Sequence, residues 1–62
     1  MKCKVCKKQP HAISEYVDLA GMEGYVSAEE AVRREEGTYN PATDLFYCTS
    51  CYIKIGMPLG TA

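Results

Sequence analysis

Tryptophan is absent from the 62 residues, phenylalanine occurs once (Phe46), histidine once (His11), and no cysteine lies between Cys6 and Cys48. Each shortage excludes something. With so few large aromatics, and apolar stretches only a few residues long, the chain cannot build a deep core. A single domain of this size keeps little net stability once chain entropy is subtracted, so a staple is expected. No stretch approaches the roughly 20 apolar residues of a membrane span. No apolar segment follows the lysine-rich start, as it would in a secretory signal. The reading is one cytoplasmic domain over residues 1–56, with 57–62 as a C-terminal tail and no membrane partner. Ser14, Ser27 and Ser50 lack a histidine partner for nucleophilic catalysis, and "GMEG" does not match a phosphate-binding loop. The expectation is therefore no enzyme and no small-molecule substrate.

Five tyrosines, at 16, 25, 39, 47 and 52, are present instead. They suit a small, half-wet core, with Tyr47 and Tyr52 around the cysteines and Tyr25 and Tyr39 flanking loops. Charge is nearly balanced overall, at −1, but unevenly placed. Lys2, Lys4, Lys7 and Lys8 make the start basic. Seven acids (Glu15, Asp18, Glu23, Glu29, Glu30, Glu35, Glu36) against Arg33 and Arg34 make residues 9–36 acidic. A basic tip on an acidic body differs from the broad positive footprint of a nucleic-acid binder.

Local signals are clearest in "VSAEEAVRREEG". Ser27 is a good N-cap, Glu30 three residues on completes a capping box, and Gly37 offers a left-handed stop. Glu29 with Arg33 and Glu30 with Arg34 are favourable i,i+4 pairs, so residues 28–36 are predicted helical. "QPH" reads as a turn around Pro10, and "AGMEG" (20–24) as a loop. "AISEYVDL", residues 12–19, fits either period: Ile13, Tyr16, Val17 and Ala20 share a helical face, whereas Ile13, Val17 and Leu19 suit a strand. "DLFYC", 44–48, reads as a short strand. "TSCYIKIG" predicts a short helix over about 49–55, ended by Gly56 and Pro58.

The cysteines carry the chemistry. Cys3 and Cys6 form one Cys-x-x-Cys pair, Cys48 and Cys51 another, with 41 residues between the pairs. Cytosolic thiols are kept reduced, which argues against a disulfide framework. Two residues between cysteines let one tight turn aim both sulfurs at one ion, and Zn²⁺ takes four thiolates tetrahedrally at about 2.3 Å. Each pair is half a site, and closing it encloses most of the chain. Structural zinc contributes on the order of 10 kcal/mol to folding, enough to replace a missing core. Four thiolates around Zn²⁺ leave a charge of −2, and Lys2, Lys4, Lys7, Lys8 and Lys54 lie near them in sequence. Cys48 and Cys51, if they open a helix, gain stabilisation of their thiolates from its free N–H groups. Iron suits the same four ligands geometrically. A thioredoxin-like dithiol lacks its βαβ setting, and four thiolates close the coordination position that catalytic zinc needs. His11, five residues beyond Cys6, is either a further ligand or a hydrogen-bonded turn residue.

In order of parts, "CKVC", a hairpin and then "CTSC" opening a terminal helix, the chain resembles the treble-clef and zinc-ribbon-like four-cysteine zinc fingers. The resemblance implies a small α+β zinc-binding domain: a zinc knuckle, a short β-hairpin pairing residues 12–19 with 44–48, helix 28–36 inserted in the hairpin connection, and the C-terminal helix. It departs at Lys7, where knuckles often carry glycine. Rubredoxin-like iron carriers usually have glycine after each pair and proline within the second; Lys7, Thr49 and Tyr52 break that pattern.

The leading expectation is a zinc-stabilised module that binds a protein partner, with Tyr39, Met57 and Leu59 outside the core. The alternative is a DNA- or RNA-binding finger using Lys2, Lys4, Lys7 and Lys8, joined by Arg33 and Arg34. A third is iron-based electron transfer.

Overall fold

The computed structural model describes residues 1–62. Strand β1 (Lys2–Cys3) is followed by a 3₁₀ turn (Pro10–Ala12) and two helices, α1 (Ser14–Glu23) and α2 (Ala28–Glu35). Strand β2 (Leu45–Phe46) and helix α3 (Thr49–Lys54) complete the order. This is a small α+β fold with a two-stranded sheet. The strands run parallel, Lys2 opposite Leu45 and Cys3 opposite Phe46. The Lys4 N–H donates to the Phe46 carbonyl at 2.7 Å, extending the pairing by one bond. Parallel strands need a long crossover, and here α1 and α2 supply it.

Residues 12–19 therefore do not form the expected strand, and no hairpin pairs them with 44–48. Residues from Ser14 onward are helical, and the partner of β2 is β1. A helix puts Tyr16 and Ala20, four apart, on one face with Ile13 beside them, and both are buried while Val17 stays 46% exposed. A strand would have sent Tyr16 and Ala20 to the face opposite Val17. The helix also has a local stop: Gly24 takes φ 76°, and the N–H groups of Gly24 and Tyr25 both reach the Ala20 carbonyl. That is a Schellman-type ending, open to glycine at no steric cost.

Helix α2 lies close to its predicted span. The Ser27 hydroxyl accepts the Glu30 N–H at 3.1 Å. The box stays half made, because the Glu30 carboxylate turns outward to Arg34 at 2.7 Å and Arg33 at 3.4 Å. Glu29 pairs with His11 rather than with Arg33. Gly37 does not provide the left-handed stop; Glu36 ends the helix in an extended conformation with its N–H on the Val32 carbonyl.

The core is one cluster: Cys3, Tyr16, Ala28, Val32, Phe46, Cys48 and Cys51, with Met1, Ile13 and Tyr39 packed against it. Tyr16 and Phe46 meet edge to face, ring centroids 5.5 Å apart at 90°, an arrangement aromatic quadrupoles favour. Tyr16 is the only tyrosine buried, and Tyr39, expected outside the core, leans on it. Three cysteines thus belong to the hydrophobic core itself. After α3, Gly56 takes φ 95° and the chain returns. The Tyr52 hydroxyl donates to the Pro58 carbonyl and the Ala62 N–H to the Thr38 carbonyl at 2.8 Å, so Pro58 and Ala62 are bonded back to the fold while Leu59 stays fully exposed.

Candidate metal centre

The turn after β1 builds the first half of the centre. Lys7 N–H donates to the Cys3 carbonyl at 3.0 Å, and Cys3 N–H to the Lys8 carbonyl at 2.9 Å. The chain can close so tightly because Lys7 adopts φ 67°. This is the left-handed conformation for which a knuckle commonly uses glycine, reached here by a lysine that carries the steric cost. Its Nζ donates back to the Lys4 carbonyl at 2.8 Å, fastening the turn from outside.

The second half comes from β2 and α3. Parallel pairing sets Phe46 beside Cys3, and two residues on Cys48 arrives as the N-cap of α3, with Cys51 one turn later inside the helix. The Cys48 N–H points at the Cys3 Sγ, 3.5 Å away. The Cys6 and Cys48 sulfurs are 3.9 Å apart. All four sulfurs lie within 4.8 Å of one another, and none is in a disulfide. A tetrahedron with arms of about 2.3 Å has edges of about 3.8 Å. The cluster therefore fits a single tetrahedral ion with a contraction of about 1 Å at most, and the four cysteines could hold a metal.

Burial and charge are uneven within the cluster. Cys3, Cys48 and Cys51 are buried and Cys6 is exposed. Burial opposes ionisation of Cys3, but the N–H groups of Cys48, Cys6 and Val5, helped by the Cys6 thiol, outweigh it and lower its pKa to about 6. Three converging amides favour the anion. Hydrogen bonding to Cys48 first, then burial and the remaining thiols, pushes Cys51 up to about 12. The fold alone thus favours the thiolate at Cys3 and the neutral thiol at Cys51. Ser50, which no spacing argument singled out, brings its hydroxyl to 3.7 Å from the Cys48 sulfur. Only its place two residues after Cys48 could have suggested this.

His11 is not part of the cluster. Its Nδ1 lies 2.9 Å from Glu29 Oε2, with the side chain 64% exposed, and that hydrogen bond holds the Glu29 carboxyl below its usual range. Lys2, Lys4, Lys7 and Lys8 are all exposed along the first turn. Lys8 and Lys54 border a cleft that opens onto Cys6, Cys48 and Cys51. Away from the thiols, the Glu36 carboxylate accepts the Tyr16 hydroxyl at 2.5 Å and the Thr38 N–H at 3.1 Å. The Thr38 hydroxyl in turn accepts the Tyr47 N–H at 2.9 Å. This network ties α1 to the approach to Cys48 and had no local sequence signal, since Tyr16 and Glu36 are 20 residues apart. No helix is long and apolar enough to cross a membrane.

No protein-family model, curated protein or solved structure matches the chain.

Proposed function

We propose that the four cysteines bind one structural Zn²⁺, and that the protein is a non-enzymatic, zinc-stabilised module for binding a protein partner. The observation that carries this is the convergence of four free sulfurs, from both ends of the chain, inside 4.8 Å. Zinc is favoured over iron because Lys7, Thr49 and Tyr52 break the glycine and proline pattern of rubredoxin-like iron carriers, while two Cys-x-x-Cys halves suit a structural zinc site. The tight turn carrying Cys3 and Cys6, with Cys48 and Cys51 opening a helix, supports the likeness to treble-clef fingers, with a helical crossover where those have a hairpin. A binding role is supported by the apolar side chains left outward at the C-terminal end: Ile53 59%, Met57 58% and Leu59 100% exposed. Elemental analysis of protein purified without added metal, with circular dichroism before and after chelation, tests the metal. One zinc per chain and a fold lost on chelation and regained with zinc is the expected outcome. A red protein containing iron, or a fold indifferent to chelation, overturns it.

A second reading, nucleic-acid binding, is favoured by the exposure of Lys2, Lys4, Lys7 and Lys8 on one short segment. A few lysines on phosphates give binding with a shallow salt slope. Binding to DNA or RNA that survives replacing all four by glutamine removes this reading.

A further inference from the structure

Between the segment after α2, the start of α3 and the returning C-terminal residues lies a cavity of about 370 Å³. Tyr47 and Tyr52 supply its aromatic wall, their ring centroids 6.4 Å apart and tilted by 38°. Glu36 is the one charged residue lining it, and its carboxylate is held in place by donors from Tyr16 and Thr38. A second carboxylate, Glu15, is outside the lining but accepts the hydroxyl of the lining residue Thr49 at 2.7 Å. Gly37 and Gly60 also line the cavity without side chains, and no atom lies within 4 Å of where a Cβ on either would sit. Aromatic faces attract cations, and a fixed carboxylate adds charge and directed acceptors. The Tyr47 ring shows the first of these tendencies already: the Lys4 ammonium, from outside the cavity lining, stands 6.0 Å from its centroid.

We propose that this cavity receives an arginine side chain, with lysine as the weaker substitute, presented by a partner polypeptide. The inference rests on the interaction-module reading and names the chemistry of its partner. A flat guanidinium can lie on a tyrosine ring while it donates to Glu36, which a compact ammonium does less well. Lys4 competes for the same ring, so the pocket should tighten when Lys4 loses its charge.

The test is a ¹H–¹⁵N NMR titration of the full chain as purified with N-acetyl-arginine amide, its lysine and norleucine counterparts, and free agmatine. Arginine is expected to shift the Gly37, Thr49 and Gly60 amides saturably in the millimolar range such small ligands reach. Norleucine, which has no charge, is expected to bind at least about threefold more weakly. Tyr47→Leu is expected to weaken arginine about threefold, and Lys4→Gln to strengthen it about twofold. Equal binding of norleucine, no saturable shift, or indifference to Tyr47→Leu overturns the proposal. A preference for agmatine over the capped arginine of more than about tenfold would assign the pocket to a free amine and overturn the polypeptide partner. Elemental analysis of the same sample decides the zinc reading separately, so the two can fail independently.

Discussion

The backbone N–H of Cys48 donates to the sulfur of Cys3 at 3.5 Å, across 45 positions of chain. A cysteine of the second pair thus supports negative charge on a cysteine of the first. The four cysteines are unequal as a result. Cys3→Ser is expected to be the most damaging single change, because it puts a shorter, polar hydroxyl at a fully buried core position and removes the thiolate that the surrounding amides support. Cys6→Ser, at the exposed corner, is expected to be mildest. Competition titration with a chromophoric chelator and thermal melts of the four serine variants give the order. Equal losses at Cys3 and Cys6 would contradict it.

At the proposed zinc site, affinity should depend steeply on pH, with a sign set by two thiols. Cys51, pushed up to about 12, is protonated across the accessible range and must release its proton to bind. Apparent affinity therefore rises at least about tenfold per pH unit between pH 6 and 8. Below about 6, Cys3 also becomes protonated and the slope steepens. Chelator competition at several pH values checks the slope and its steepening.

Lys7 offers a change that should stabilise. At φ 67° a lysine bears a steric cost of about 1–2 kcal/mol that glycine does not. Glycine loses about 0.4–1 kcal/mol of that advantage through the unfolded state. Lys7→Gly is expected to raise stability by about 0.5–1 kcal/mol, and Lys7→Val to lower it, since a branched side chain fits the left-handed region worst. Denaturant melts of the zinc-loaded variants measure both; a destabilised Lys7→Gly would show that the Nζ bond to the Lys4 carbonyl outweighs the strain.

Tyr16→Phe keeps the edge-to-face contact with Phe46 and removes only the hydroxyl that donates to Glu36. Hydrogen bonds to charged groups are worth about 1.5–3 kcal/mol, and this one is partly buried. A loss of about that size is expected, with zinc stoichiometry unchanged. Melts read the loss, and elemental analysis shows whether the centre tolerates it.

By itself the sequence determined the four sulfurs, their pairing into two halves, and the elements that present the second half. Cys-x-x-Cys spacing, an N-capping Ser27 and a Gly56 stop are all local: each acts within one turn of its own chain, and each is visible as a few adjacent letters. The tertiary structure decided the rest. Residues 12–19 carried both periods, and the choice between them depended on whether Tyr16 and Ala20 had a surface to bury against. For Tyr16, Phe46 with Ala28 and Val32 of α2 provide one, 12 to 30 positions away in sequence. The same contact explains why β2 pairs with β1 in parallel. Once α1 and α2 form the crossover, the strand leading to Cys48 meets the strand bearing Cys3, and residues at the two ends of the chain share one core. The Glu36 carboxylate beside Tyr47 and Tyr52 is likewise a product of that packing. Its donors come from α1 and from the turn after α2, which no short window of sequence brings together.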